Sequence, residues 1–577
     1  MDEPWKKFCL FPEARVPAQV FRRALLALLL TAAGCMAGPP TGVPPEDTTG
    51  EGTKAKQSTA AGDQTTTPAK PRTLSQAVHA YCERLRSPKP PAEEEAKNAA
   101  DNAKADKKEN QPENGDREKP KGEKSPPAAG AQKEPNGAEQ PQDQANGEKK
   151  KDENNGSDKK DENGGSWFSA HAQATMDTQA HNNFRAPYTG PLSLLPNEPA
   201  ATSLTATLFL DARLWECGSY SGEIVFNPEL SGGRGFSGVN GLAGFPNGDI
   251  TRVGIVEPTP YIARLFLRQT WGFGGEQEKA EDEANQIAGK RDIERFTLMV
   301  GKFAFTDVID NNRYSHDPRT QFQNWSLMYN GAWDYPSNVR GYDYGVAMEY
   351  NQKDWALRYG IMGEPKFANA AAIDPRFTDA LGQALEWEGR WSVRQHPGRV
   401  RLMAYLNRAQ MGDYREALLA MPVDPNVSLT HAYRYKYGFG MNFEQEICRD
   451  FGAWGRLGWS DGHTETWAFT PIDRTAALGF LLNGRCWARA NDTVGLGAAC
   501  NGIAKDHRDY LAAGGLDFSI GDGRLNYGHE YIIELFYRVA VIKGIYVTAD
   551  LQEIINPAYN IDRGPVTVGA LMVHTEL

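Results

Sequence analysis

Charged side chains recur at every second position of several C-terminal segments and alternate there with apolar ones. In 261–269, Arg264 and Arg268 alternate with Leu265 and Leu267. Successive side chains of a β-strand point to opposite faces, so this spacing predicts strands with one charged and one apolar face. Guanidinium and carboxylate groups on such a face offer hydrogen bonds to a polar solute. The charged positions expected to line a shared polar interior are Arg264, Arg268, Asp211, Arg401, Arg434, Glu386, Glu388, Glu530 and Glu534. For each of them, the alternative is an ion pair that stabilises the wall and touches no solute.

Paired carboxylates also raise the possibility of glycoside hydrolysis. Glu386 and Glu388 lie two residues apart, so they share one face of a single strand. The catalytic carboxylates of glycosidases instead face each other across the bond that is cleaved. We therefore assign no catalytic residue and expect no enzyme.

The segment 305–340 concentrates aromatic, charged and amide side chains between two predicted strands. A solvent-exposed loop rarely carries so many large aromatics, so we expect this segment to fold inward and to form a constriction. The alternative for its aromatic residues is that they pack the segment against the wall. The candidates are Asp307, Asp310, Asn312, Arg313, His316, Arg319, Trp325, Trp333 and Tyr335.

Three of these residues carry oxygen atoms of the kind that Ca²⁺ prefers, namely Asp307, Asp310 and Asn312. Their spacing matches no EF-hand loop. His316 is expected to be a hydrogen-bonding loop residue rather than a metal ligand. We therefore predict no metal site and no cofactor.

Sixteen alternating segments follow one another between residues 166 and 577, and most of the gaps between them are long and short in turn. Outer-membrane barrels combine an even strand number with short turns at one end and long loops at the other. Many of the segments have the roughly 9–11 residues that a tilted strand needs to cross a bilayer. The sequence therefore predicts an all-β fold, a 16-stranded antiparallel transmembrane β-barrel, with a soluble two-sheet protein as the alternative. The predicted strands are 166–176, 203–215, 220–228, 261–271, 294–304, 341–350, 354–362, 384–393, 400–408, 432–444, 451–460, 476–482, 494–502, 529–539, 544–551 and 565–577. The gap 272–293 is an exception to the alternation of long and short gaps, because it is a long, charged excursion where a short turn is expected.

Composition narrows the function classes. The 577 residues carry a formal net charge of −11, which gives no electrostatic case for binding nucleic acid. No run of about 18 apolar residues follows the N-terminus, which argues against a helical membrane protein. The seven cysteines contain no CxxC pair. Cys486 and Cys500 flank a predicted turn, so a disulfide and two free thiols are both open.

The first 165 residues have a different character. Residues 1–37 are expected to be a signal peptide, because Arg22 and Arg23 precede an apolar stretch and small residues. This stretch resembles a lipoprotein cleavage box that ends at Cys35, which makes Cys35 a candidate for lipidation; ordinary cleavage just after it is the alternative. Residues 38–165 are charged and of low complexity, so we predict a disordered linker, with one short amphipathic helix at 73–87.

Several blocks between 166 and 577 resemble the OprB-type carbohydrate-selective porins, and they keep the family order. They include Gly241–Gly248, Ala263–Thr270, His316–Phe322, Gly331–Pro336, Gly458–Gly462 and Asn556–Asn560. The chain departs from the family in two places. It lacks a Trp-Gly-Gly stretch before the first strand, and it ends in Leu577, where barrel-insertion signals usually end in Phe.

The resemblance implies a monomeric sixteen-stranded channel for sugars in the outer membrane of a Gram-negative-type bacterium. Its partners would be sugars as transported solutes, outer-membrane lipid and, through the linker, peptidoglycan, with no nucleic acid. Two alternatives remain at this point. One is a secreted glycan-binding or glycan-degrading β-protein, and the other is a structural barrel that tethers the envelope.

Overall fold

The computed structural model describes residues 166–250 and 256–577. The predictions for the signal peptide, for Cys35 and for the linker with its short helix concern residues 1–165, which lie outside the described residues. The predicted barrel region is described apart from 251–255.

Sixteen strands close into one antiparallel barrel, and the predicted fold is confirmed. Going round the barrel, β1 is followed by β2, β3, β4 and then β7 to β18, which returns to β1. Two further strands, β5 and β6, form a separate hairpin. The strand bounds are β1 Phe168–His181, β2 Ala201–Cys217, β3 Tyr220–Gly233, β4 Thr259–Gly272, β5 Gln277–Ala280, β6 Gly289–Asp292, β7 Arg295–Phe303, β8 Asp343–Asn351, β9 Trp355–Gly363, β10 Leu381–Val393, β11 His396–Ala409, β12 Arg434–Cys448, β13 Phe451–Ser460, β14 Arg474–Asn483, β15 Thr493–Gly502, β16 Glu530–Ile542, β17 Ile545–Ile555 and β18 Val566–Glu576.

The first and last strands complete the sheet. β1 pairs with β18 in a register that runs from Gln173 opposite Glu576 to His181 opposite Val568. The last residue extends this ladder, because Leu577 and Ala172 exchange two backbone hydrogen bonds of 2.9 and 3.1 Å. A closed sheet has no unpaired edge, which is the condition for a β-structure to cross a bilayer.

The two ends of the barrel differ. Both ends of the barrel domain and the short turns lie at one end, which we call the termini end. The long connections lie at the other, the loop end, and carry three helices: α1 Trp325–Met328, α2 Tyr414–Ala420 and α3 Lys505–Ala512. None of the helices in the described ranges has the length and apolar character needed to cross a membrane.

Alternation along the strands separates an apolar outside from a charged inside. On β10, the side chain of Leu385 is exposed on the outer surface, whereas Glu386 and Glu388 are buried inside. On β11, Leu402 faces outward and its neighbour Arg401 faces inward. Exposed leucines and aromatics facing outward, strand after strand, form the lipid-facing band expected of an outer-membrane barrel.

The hydrophobic core lies inside the barrel, toward its loop end. Inward residues of the strands, such as Phe303 on β7 and Tyr405 on β11, pack with Phe305 and Trp333 of the connection between β7 and β8. The long loops therefore fill part of the interior instead of standing away from the barrel.

The structure adds two details to the sequence-based expectations. The charged excursion after β4 contains the β5–β6 hairpin, whose short strands were not predicted. Cys486 and Cys500 form no disulfide. The reason is geometric: Cys486 lies in the turn before β15, and Cys500 lies near the opposite end of that strand.

Candidate functional site

The connection 304–342, here called the inner loop, crosses the interior of the barrel. Near its start, Asp307 contacts β4, and farther along Asp310 contacts β12 and β13. Asn324 then reaches β17, where its side chain donates to Gln552 at 2.9 Å. Contacts to strands on several sides of the barrel hold the loop within it.

Asp307 is held by Arg264 of β4. The guanidinium donates two hydrogen bonds, from Nε to Oδ2 at 2.7 Å and from Nη2 to Oδ1 at 2.6 Å. Such a bidentate pair fixes both position and orientation. Arg264 faces inward, and in this arrangement its donors go to the loop.

Asp310 is buried at the centre of a polar cluster. Its Oδ1 accepts from Asn442 at 2.7 Å and from Arg456 at 3.1 Å, and its backbone N–H donates to Glu386 at 2.7 Å. Asn312 continues the cluster, because its amide donates to the Asn442 side chain at 2.7 Å. Glu386 was expected to face solute, but it binds the loop, since a buried N–H requires an acceptor.

Two more wall carboxylates act in the same way. Glu534 accepts the backbone N–H groups of Gln323 and Asn324 at 2.6 and 2.9 Å. Glu530 accepts those of Gly244 and Ala558 at 2.7 and 2.8 Å. Glu530 and Glu534 therefore anchor loops, which favours the alternative in which they stabilise the wall and touch no solute. Folding a loop inside a barrel leaves backbone donors that only inward acceptors can satisfy.

The three aromatic candidates of the inner loop are almost fully buried. Trp325 stacks on Phe245 with ring centroids 5.0 Å apart, and Tyr335 packs against Trp333 at 5.4 Å. Other rings cover the faces of Trp325, Trp333 and Tyr335, which favours the alternative that they pack the segment against the wall. They supply the apolar contacts that hold the loop inside the barrel.

Of the remaining inner-loop candidates, Arg313 is exposed to the channel, whereas Arg319 and His316 contact other loop residues. Arg313 has a largely exposed side chain, which donates to Glu446 at 2.8 Å. Arg319 donates to Asp249 at 2.7 Å, which joins the inner loop to the preceding long loop. His316 is packed edge-on against Tyr329, and burial together with the nearby Arg456 lowers its pKa.

The three residues considered for Ca²⁺ have separate partners. Asp307 pairs with Arg264, Asp310 with Arg456, and Asn312 binds Asn442. Within 166–250 and 256–577, no group of three or more His, Cys, Asp or Glu side chains converges in a way that could hold a metal ion.

A cavity of about 420 Å³, which we call the charged chamber, lies between β2–β4 and the β5–β6 hairpin on one side and β9–β12 on the other. This volume is within the range of small-molecule sites. Asp307 and Arg313 of the inner loop reach it as well. None of the residues that line it is Phe, Tyr or Trp. Its charged lining includes Arg213, Arg268, Arg295, Arg313, Arg358, Arg399, Arg401, Glu216, Glu223, Glu349, Glu388, Glu444 and Asp307.

Glu388 is at the centre of a chain of ion pairs in the chamber wall. Its carboxylate accepts from Arg390 at 2.6 Å, from Arg401 at 2.7 Å and from Arg358 at 3.1 Å. Arg401 continues to Glu444 at 3.2 Å. The alternating charges fix one another's orientation, so the wall presents ordered donors and acceptors to the chamber.

Three other predicted lining residues have different positions. Arg268 lies at the chamber and donates to Glu223 at 3.1 Å. Asp211 lies behind it, nearly inaccessible, with its carboxylate 3.8 Å from Arg268. Arg434 faces Glu416 of α2, which it binds at 3.2 Å, at the loop end of β12. Neither Asp211 nor Arg434, which were expected to face the polar interior, is among the residues that line the chamber.

Sequence reasoning also missed chamber residues. Arg295 on β7 and Glu349 on β8 face inward. The next inward positions of β7 after Arg295 are the uncharged Thr297 and Met299, so this strand shows no repeated charge. Glu223 on β3 follows a turn and has few alternating neighbours. The signal that marks all three is their place on the inward-facing set of alternate residues in their strands.

Comparisons with known proteins agree with the barrel. The family model described as carbohydrate-selective porin, OprB family, matches residues 221–577. Among solved structures, the chain is similar to Pseudomonas putida OprB at high pH, with 16% identity, a TM-score of 0.53, and coverage of 71% of this chain and 94% of that chain. It is also similar to the outer membrane channel DcaP of Acinetobacter baumannii, with 8% identity, a TM-score of 0.40, and coverage of 72% and 99%. A search of curated proteins returned no match.

Proposed function

The chain belongs to the OprB family of carbohydrate-selective porins, and we propose that its charged chamber is where the solute is selected. Membership of this family makes the protein an outer-membrane channel for sugars. The observation that supports this proposal is a polar cavity of about 420 Å³ inside a closed barrel, lined by paired guanidinium and carboxylate groups.

The chamber suits a solute rich in hydroxyl groups. A sugar that enters it exchanges hydrogen bonds with water for hydrogen bonds with arginines and glutamates, which are already oriented by their ion pairs. Several weak contacts of this kind allow a solute to enter and also to leave, which passive diffusion requires. Because guanidinium and carboxylate groups alternate along the wall, we expect little net preference between cations and anions.

Hydrogen bonding, rather than ring stacking, would therefore distinguish solutes in the chamber. Its lining contains no aromatic side chain, and the aromatics of the inner loop are covered by each other. The sequence-based expectation, by contrast, placed Trp325, Trp333 and Tyr335 in a constriction of the channel.

We propose that the protein has no catalytic activity. Glu386 binds Arg358 and the backbone of Asp310, while Glu388 binds three arginines. Neither carboxylate faces the other across a space in which a glycosidic bond would lie, and this weighs against the glycan-degrading alternative.

The cellular setting is also a proposal. We propose a monomer in the outer membrane of a Gram-negative-type bacterium, because one closed barrel contains a complete polar interior. The charged segment 38–165 is proposed to reach peptidoglycan, and Cys35 is proposed to carry lipid. If the linker only tethers, a protein that lacks 38–165 will transport sugars at the rate of the full chain.

Swelling of liposomes in sugars of graded size tests the channel. Purified protein reconstituted into liposomes should give swelling rates that fall as the sugar grows, while protein-free liposomes stay impermeable. Correctly inserted protein that gives no swelling with any sugar would refute the channel function. A monomer that stays soluble without detergent would favour a secreted glycan-binding protein instead.

A further inference from the structure

The 273–294 connection is unusual for the termini end of this barrel. Other turns at that end are as short as Gly218–Ser219 and Lys543–Gly544, two residues each. Here the chain leaves β4, forms the β5–β6 hairpin and then enters β7. Phe273 and Glu294 already lie within hydrogen-bonding distance, with N to O at 3.0 Å, so two intervening residues would suffice to connect the strands. The hairpin is therefore an addition that barrel closure does not need.

The base of the hairpin is fixed to the barrel. Asp292 accepts from the backbone N–H of Gly274 at 2.7 Å and from Gln277 at 2.8 Å. Asn351, at the end of β8, donates to the carbonyl of Ile293 at 2.7 Å. These bonds set the direction in which the hairpin leaves the wall.

The middle of the hairpin lies against the inner wall. Glu278 on β5 binds Arg291 on β6 at 2.7 Å and Arg295 on β7 at 3.0 Å. Arg268 on β4 donates to the carbonyl of Asn285 at 3.0 Å. The side chain of Ile287 is almost completely buried. Burial of this apolar side chain stabilises the position of the hairpin on an otherwise charged surface.

The tip of the hairpin reaches the first strand of the barrel. The carboxylate of Asp282 accepts from the Ser169 hydroxyl at 2.6 Å and lies 3.2 Å from Nε2 of His171. Both partners point inward near the start of β1. The hairpin thus extends along the wall from β7 to β1, inside the termini end.

Two elements from opposite ends therefore border the charged chamber. Asp307 and Arg313 of the inner loop line it from one direction, and Gln277, Ile287 and Arg291 of the hairpin line it from the other. The chamber thus lies between the hairpin and the facing wall of β9–β12.

We propose that the β5–β6 hairpin is a fixed size filter at the termini end of the channel, which limits the largest sugar that can leave the chamber. The proposal rests on the channel function. It assigns size selection to residues 273–294, which is separate from the hydrogen-bond selection assigned to the chamber wall.

Removing the hairpin tests the filter. Residues 274–293 are replaced by Asn-Gly, which connects Phe273 to Glu294 by a two-residue turn. The matched control replaces 484–492 by the same dipeptide between Asn483 and Thr493, which are paired neighbours at the same end and do not border the chamber. Single-channel conductance in planar bilayers and liposome swelling in mono-, di- and trisaccharides are measured for both.

The hairpin deletion should raise conductance by about twofold or more, because a wider opening enlarges the aqueous path, and should speed swelling most for the trisaccharide. The control should behave like the wild type. Wild-type conductance and size dependence in the deletion would overturn the filter while leaving the channel intact. Absence of sugar permeation in the wild type would instead refute the channel on which the filter depends.

A point variant keeps the test decisive if the deletion does not assemble. Asp282→Ala frees the tip from Ser169 and His171, whereas Glu281→Ala removes a neighbouring, exposed carboxylate that pairs with Lys279. Faster trisaccharide entry in Asp282→Ala but not in Glu281→Ala supports the filter. Equal, wild-type rates in both variants contradict it.

Discussion

Arg264 on β4 and Asp307 in the inner loop form a bidentate ion pair at the point where the loop turns into the barrel, with N–O distances of 2.7 and 2.6 Å. Both side chains are mostly buried. A wall residue that the sequence marks as inward therefore determines where the loop enters the interior, and with it the shape of the channel.

Removal of this pair should widen the channel without unfolding the barrel. Arg264→Ala leaves Asp307 partly buried without its partner, which we expect to destabilise the seated loop by about 3 kcal/mol. Sugar-induced swelling should become faster, and the inner loop should become sensitive to protease. Arg264→Lys keeps the charge but loses the bidentate geometry, so its swelling rate and protease sensitivity should lie between those of the wild type and those of Arg264→Ala. Wild-type swelling in correctly inserted Arg264→Ala, alone or combined with Arg268→Ala, would remove these residues from the site.

Reversal of one chamber charge should change ion preference. Arg399 borders the chamber with a largely exposed side chain, and its nearest acid is Glu444 at 3.6 Å. Arg399→Glu should shift the reversal potential under a KCl gradient toward cation selectivity, because it replaces a positive charge by a negative one in a narrow path. The control is Arg485→Glu, an exposed residue in the turn before β15. Equal shifts in the two variants would show that the chamber does not set selectivity.

Loss of a buried ring should loosen the inner loop. Trp333 is 1% exposed and packs against Phe305 and Tyr335. Trp333→Ala should destabilise the packed loop by about 3–5 kcal/mol. Its protease protection should fall and its sugar flux should rise, whereas Trp391→Ala on the outer surface should leave both unchanged. A drop in sugar affinity with full protease protection would mean that Trp333 contacts sugar, contrary to the packing described here.

High pH should loosen the loop end. His507 of α3 is buried between Asp473 at 3.0 Å and Asp517 at 3.1 Å, and it stacks on Tyr414 of α2. Burial favours the neutral ring, but the two carboxylates outweigh it and raise the pKa of His507 to about 9. Burial would likewise raise the pKa of Asp473, yet His507 holds it at about 2.

The sign of the effect follows from linkage. A raised histidine pKa stabilises the folded loops fully below its ordinary value of about 6.5, and this contribution of about 3 kcal/mol disappears as pH rises through about 9. Protease sensitivity of the α2 and α3 loops should therefore increase between pH 7 and pH 10. His507→Gln should be sensitive already at pH 7 and should show little further change. A wild-type profile that is flat over this range would contradict the role of His507.

Alternation predicted the barrel well because it is a local property. On β10 and β11, polar residues mostly face inward and apolar residues mostly face outward, in alternation. Glu388 and Arg401 could therefore be placed inside from the types of their neighbours alone. The sixteen strands were found for the same reason, with boundaries that shifted by a few residues.

The partner of an inward residue is not local, and here sequence reasoning failed. Glu534 and Glu388 look alike in sequence, yet one binds the backbone of the inner loop and the other a set of arginines in the chamber. Which of them meets solute depends on where a long loop folds, and this is decided by packing between residues such as Trp325 and Phe245. The hairpin at 273–294 was recognised as an irregularity, but its contact with β1 involves residues more than a hundred positions apart.

The current through single proteins in a planar bilayer, recorded before and after sugar is added, shows whether the barrel is an open channel that sugars enter. We expect a steady open channel whose current falls as sugar concentration rises, because sugar and ions share one charged chamber. A membrane-inserted protein that passes no current, or a current that sugar leaves unchanged at every concentration, would contradict it.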